Sequence, residues 1–90
     1  PIFSLGQAER RIARTLLNLA AQYGRPCPEG VRISIRFTHQ DVAGIINTSR
    51  ITTNKVMKRM EEEGILLKRE GRYILRALPA LERLARGEGQ

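Results

Sequence analysis

Tryptophan is absent from the 90 residues, cysteine and histidine occur once each, and two phenylalanines and two tyrosines supply all the aromatic surface. Cys27 alone cannot close an intrachain disulfide, and with His39 as its one complement there is no Cys/His set for a structural zinc ion. No apolar run approaches the roughly 18–20 residues of a membrane span. A cytoplasmic protein with no metal or other cofactor in this domain is expected. The Ser/His/Asp and Cys/His arrangements, paired carboxylates and phosphate-cradling glycine loops that enzymes use are missing too, so catalysis is not expected. Of Phe3, Tyr23, Phe37 and Tyr73, three are at core-like or terminal positions, so no stacking platform for RNA is evident.

Basic residues are what the chain has in excess. Sixteen Lys and Arg stand against nine Asp and Glu, a formal charge of +7 that points to a polyanionic partner. The hydrophobic fraction of 41% is ordinary for a folded protein, and the length allows one core. Residues 1–86 are therefore read as one domain and 87–90 as a flexible tail.

Ser4-Leu5-Gly6-Gln7 has the form of a capping box and precedes Ile12, Leu16, Leu19, Ala20 and Tyr23 at helical spacing, which predicts a helix over 5–23. Gly24 suits a left-handed cap, and 25–30 reads as a loop by composition. Val31, Ile33, Ile35 and Phe37 then alternate with Arg32, Ser34 and Arg36, as in a short, half-buried edge strand. A second capping box at Thr38–Asp41 opens a short helix that Asn47-Thr48-Ser49 interrupts, with Asn47 fit for the left-handed region and Ser49 for an N-cap. In the helix that follows, Thr53, Val56, Met57 and Met60 form an inner face, and Arg50, Ile51, Asn54, Lys55 and Lys58 share the other side. Residues 65–68 and 72–76 flank Arg69-Glu70-Gly71 and predict a two-stranded hairpin. Pro79 suits the first turn of a last helix with Leu78, Leu81, Leu84 and Ala85 inward.

Two helices joined by a tight turn, the second basic on its outer face, followed by a hairpin, make a winged helix-turn-helix: mainly α with a small β wing, the helix-turn-helix at 38–63 and the wing at 65–76. Residues 48–59 hold Arg50, Lys55, Lys58 and Arg59 without an acid, while Glu61, Glu62 and Glu63 gather at the far end of the helix. A recognition helix at 49–63, lying in a major groove, would meet phosphates with its acid-free half. On that reading Arg50, Ile51, Asn54 and Lys55 face base edges, and Lys58, with Lys68 and Arg69 on the wing, faces phosphates.

Residues 37–43, 47–53 and 60–66 together resemble the C-terminal DNA-binding domain of the cyclic-AMP receptor protein and fumarate-nitrate regulator (CRP/FNR) superfamily of bacterial transcription regulators, most specifically at Thr38–Thr52. The resemblance implies that Arg50 reads a guanine, that Lys55 also reaches bases, and that Thr38, Gln40, Ser49 and Thr52 touch phosphates. It further implies sequence-specific binding to double-stranded DNA at a palindromic operator, with RNA polymerase as a possible second partner. Effector binding and dimerisation are expected of a segment not among these residues, the effector being unknown.

Departures from the family pattern shift the expected readout. Ile51 replaces a frequent glutamate and cannot accept from a cytosine amino group; it either meets a thymine methyl or tucks against the preceding helix. Lys55 replaces a second arginine and lacks the bidentate fork. Each basic residue also has a plainer use as solvated charge. His39 is read as a surface or phosphate-side residue, Cys27 as an inert loop thiol, and Arg10, Arg11 and Arg14 as the solvated face of the first helix. The rival functional reading is a winged-helix protein-interaction module, for the scaffold alone does not fix function.

Overall fold

A computed structural model describes residues 4–88, so Phe3 and the end of the predicted tail, Gly89 and Gln90, lie outside it. Helix α1 spans Leu5–Tyr23, and its capping box forms as expected: the Gln7 amide donates to Ser4 Oγ at 3.2 Å and the Ser4 amide to Gln7 Oε1 at 3.0 Å. Its buried side, Ala8, Ile12, Ala13 and Leu16, is the centre on which the other elements pack.

Gly24 is not a left-handed cap. It is extended, with φ −76° and ψ 146°, and begins strand β1 (Gly24–Cys27). A Cβ there would stand 2.3 Å from the Ala20 carbonyl oxygen and 2.7 Å from Val31 Cγ1, so the glycine serves close approach rather than positive φ. The predicted loop at 25–30 is instead a hairpin joining β1 to β2 (Gly30–Ile33), paired from Gly24↔Ile33 to Cys27↔Gly30. Pro26 is tolerated there because β1 is an outer strand, whose free edge needs no amide donor. Strand β2 is shorter than its alternating pattern suggests and lies inside the sheet, since it also pairs with β4 through Val31↔Leu75 and Arg32↔Ile74. The alternation continues past the pairing as far as Phe37, which is buried for another reason: its ring stacks on Tyr73 with centroids 5.0 Å apart.

Thr38 caps α2 (His39–Ile46) through a reciprocal pair, the Asp41 amide donating to Thr38 Oγ1 at 3.1 Å and the Thr38 amide to Asp41 Oδ2 at 2.8 Å. Asn47 closes it in the left-handed conformation, φ 57° and ψ 52°, and Ser49 opens α3 (Arg50–Glu62). The inner face of α3 is the predicted one: Thr53, Val56, Met57 and Met60 are all buried, and Thr53 Oγ1 donates back to the Ser49 carbonyl at 2.9 Å. Strands β3 (Leu66–Arg69) and β4 (Arg72–Leu75) form the wing, and Arg69↔Arg72 pair, so the turn is Glu70-Gly71 alone, both at positive φ. The wing is thus half of a four-stranded antiparallel sheet of order β1-β2-β4-β3 rather than a separate hairpin. Helix α4 (Leu78–Ala85) buries Leu81 and Ala85 against α1. Gly87 and Glu88 are tied to it, their amides donating to Leu84 and Arg83 carbonyls.

Ile12, Leu16, Ile33, Val56, Met57, Tyr73, Leu75 and Leu81 form one core, each about 1% exposed or less. Burying an aliphatic or aromatic side chain of this size stabilises by about 1.5–3 kcal/mol, which fixes the orientation of α3 relative to the sheet. Among the described residues, no buried side-chain polar atom lacks a hydrogen-bond partner.

Candidate nucleic-acid interface

Because one face of α3 is committed to the core, the opposite face is presented as a unit. Arg50, Ile51, Asn54, Lys55 and Lys58 are all exposed on it. Ile51 is 75% exposed, so it does not tuck against α2. Arg50, Lys55 and Lys58 have no ion-pair partner among the described residues, whereas Arg59, the fourth base of the acid-free stretch, turns away to Glu9 (3.7 Å) and Glu63 (3.2 Å). That division follows from geometry: Arg59 sits next to the buried row, within reach of Glu9 on α1, which is itself only 5% exposed.

The hydroxyls at the two helix starts serve the caps. Ser49 Oγ accepts from the Thr52 amide at 3.0 Å and donates to Thr52 Oγ1 at 3.0 Å, and Thr38 Oγ1 donates to Asp41 Oδ2 at 3.0 Å. Thr38, Gln40 and Ser49 are exposed and Thr52 is half-buried. The single O–H of Thr38 and that of Ser49 are thus committed within the caps, while Thr52 Oγ1, which accepts from Ser49, keeps its own O–H to donate.

On the wing the two predicted residues differ. Lys68 is exposed, its Nζ 5.3 Å from the centroid of the Tyr73 ring. Arg69 is engaged by Glu29, on the β1–β2 turn, in an ion pair that holds the Glu29 carboxyl below the usual carboxylate range. Arg72 Nε donates to the Ser34 carbonyl at 2.7 Å and so serves the sheet. Arg36, read from sequence as the polar side of a strand, instead lies beside the wing turn, with Nη1 3.0 Å from where a Cβ on Gly71 would be. No local signal could have placed it there, for the juxtaposition depends on β2 pairing with β4.

His39 was also underestimated by its position in sequence. Its Nδ1 is 2.8 Å from Asn54 Oδ1 and its Nε2 3.5 Å from Glu61 Oε2, so it bridges α2 to α3. Burial, with the charge and hydrogen bonding of Glu61 added, pushes the neighbouring Tyr73 phenol up to about 12. No helix of the described residues is long and apolar enough to cross a membrane, and no group of three or more His, Cys, Asp or Glu among them could hold a metal ion.

Residues 10–84 match the family of Crp-like helix-turn-helix domains. The chain is similar to the cAMP-activated global transcriptional regulator CRP of Salmonella typhimurium, with 39% identity over 57 residues, 62% of this chain and 26% of that protein. It is similar to the global nitrogen regulator of Synechocystis sp., with 30% identity over 56 residues, 62% of this chain and 25% of that protein. A CRP-family transcriptional regulator from Thermus thermophilus superposes with a TM-score of 0.77 at 28% identity, over 92% of this chain and 42% of that one. The CO-dependent transcription factor CooA from Carboxydothermus hydrogenoformans shares the fold, with a TM-score of 0.79 at 23% identity over 87% of this chain and 36% of that one. The chain thus matches about a quarter of the length of these two curated relatives.

Proposed function

Since this chain belongs to the family of Crp-like helix-turn-helix domains, we propose that it binds double-stranded DNA as the output domain of a transcription regulator, with α3 in the major groove. The observation that carries this reading is the row of Arg50, Ile51, Asn54, Lys55 and Lys58, exposed together on the outer face of a helix whose inner face is fully buried. Its bases are free of ion pairs among the described residues, and its acids lie at the distal end. Arg50, in the first turn, offers a fork that fits guanine O6 and N7; Ile51 offers a methyl-bearing surface to thymine; Asn54 and Lys55 reach neighbouring base edges. Gln40, Thr52 and the capping hydroxyls of Thr38 and Ser49 lie at helix starts, where backbone amides favour phosphate oxygens, and Lys58 and Lys68 add charge. Arg69 joins them only when Glu29 releases it.

The mechanism is binding without chemistry. Cations displace counterions from phosphates and set affinity, while the outer row of α3 sets the sequence. Two copies on a palindrome, contact with RNA polymerase and control by an effector bound elsewhere extend the same reading. Selection of bound duplexes from a random pool tests it: a defined motif that changes at one base pair in Arg50→Ala supports the proposal. Binding to any duplex with a flat salt dependence and no motif would replace it with the protein-interaction reading.

A further inference from the structure

The cluster around His39 joins the outer row of α3 to the wing. Its ring lies 6.3 Å from that of Tyr73 at an interplanar angle of 27°, with Asn54 Oδ1 at 2.8 Å from Nδ1 and Glu61 Oε2 at 3.5 Å from Nε2. Both oxygens are acceptors, so both ring nitrogens are satisfied together only when each carries a proton. A proton on Nδ1 alone would leave the Nε2 lone pair facing a carboxylate. A proton on Nε2 alone would leave the Nδ1 lone pair facing Asn54 Oδ1, and the amide would turn over to offer its N–H instead.

That choice alters what Asn54 can read. An asparagine recognises adenine by accepting from N6–H with its carbonyl while donating to N7. We propose that His39 is a positioning residue that sets the hydrogen-bonding face of Asn54. With both nitrogens protonated it holds the Asn54 carbonyl, and Asn54 is left to offer N–H donors to acceptor edges such as guanine N7 and O6. When the Nδ1 proton passes to solvent, His39 takes an Asn54 N–H, the carbonyl is released, and adenine becomes acceptable at the same position. The proposal rests on the reading of α3 as the recognition helix.

The charged and titratable groups around His39 come from each element packed on it. Asp41 on its own helix is tied to Thr38, Glu61 comes from α3, Tyr73 from β4, and Lys68 from β3 lies over the Tyr73 ring. The hydrogen-bonding face of Asn54 thus follows the protons carried by the His39 ring, and base preference at that position follows it in turn.

The test is selection of duplexes from a random pool by the full chain over a series of pH values, comparing wild type with His39→Phe, which keeps a ring against Tyr73, and with Asn54→Ala, Glu61→Gln and Arg50→Ala. Circular dichroism checks that each variant folds. Asn54→Ala identifies the position it reads by erasing preference there. At the acid end of the series the wild type should favour guanine over adenine at that position by about tenfold, the scale of a lost bidentate contact. His39→Phe should narrow this to within about threefold at every pH, and wild type should approach the same ratio as pH rises. Glu61→Gln, which removes the carboxylate partner of Nε2, should move the wild-type change to lower pH. Unchanged, pH-independent preference in wild type and Glu61→Gln, while Arg50→Ala alters another base pair, overturns the positioning role and leaves the recognition helix standing. A motif indifferent to both Arg50→Ala and Asn54→Ala overturns the two readings together.

Discussion

Arg50 and Ile51 are adjacent on α3 and, in the proposed reading, ask different questions of a duplex. Removing the Arg50 fork should cost about 1–3 kcal/mol of specific binding and relax preference at one base pair, which titration against single-substituted duplexes would measure. Ile51→Glu should move preference toward cytosine on the contacted strand, because a carboxylate accepts from the cytosine amino group and an isoleucine cannot. Its 75% exposure makes the substitution tolerable to the fold, so an unchanged motif would mean that residue 51 stands clear of the bases. Glu29→Gln acts in the opposite sense. It frees Arg69, and binding to all duplexes should strengthen alike, with a salt slope steeper by up to about one unit. Acid should act in the same direction: the Glu29 carboxyl titrates below its ordinary value near 4.5, so the pairing is complete above that value and is lost as pH falls through the lowered one. Loss of the pairing releases the wing cation and removes its contribution to stability, and a salt-dependence series at neutral pH with the Gln variant separates the first effect from the second.

At the scale of elements, helices and most of their ends were legible because their signals are local, the extended Gly24 at the end of α1 being an exception. The capping residues at 4–7 and 38–41, Asn47 and Ser49 each act within one turn, and the buried rows of α1 and α3 follow from spacing alone. Strands were legible only in part. The β1–β2 hairpin was hidden by Pro26 and Pro28, whose usual meaning is a loop, and the interior position of β2 depends on Leu75 and Ile74, more than forty residues away. For the same reason the outer row of α3 could be named from sequence, but the His39–Asn54 bridge, the Glu29–Arg69 pair and the place of Arg36 could not. Two glycines test this account. Gly30 lies where a Cβ would be 2.1 Å from the Leu75 carbonyl oxygen, so Gly30→Ala should force β2 from β4 and cost at least about 1–3 kcal/mol in denaturant unfolding. Gly44, exposed on α2, has nothing within 4 Å of where a methyl group would stand. As alanine it should gain about 0.4–1 kcal/mol in the same measurement, since the unfolded chain loses freedom and the folded one loses nothing.

For the whole molecule, one chain presents one α3, and specific recognition by such helices is usually shared between two half-sites about one helical turn apart. Joining two copies through a dimerising segment should raise affinity for a correctly spaced palindrome by about 10²–10⁴-fold through effective concentration alone, and titrations against palindromes of varied spacing would check it. Indifference to spacing would mean that each copy binds alone. The order of strands carries a consequence for how the molecule comes into being. Residues 38–63 lie between β2 and the wing, so the helix-turn-helix is an excursion whose ends are joined only when Val31 meets Leu75. Closing so long a loop costs entropy before the contacts that reward it exist, which makes this pairing a late event in folding. On a ribosome β4 and α4 emerge after the other described elements. A nascent chain that stops short of Leu75 therefore carries all of α3, packed on α1 and α2, without the pairing of β2 to β4 and β4 to β3, and in the proposed reading the wing joins the DNA-binding surface only once β4 has been made.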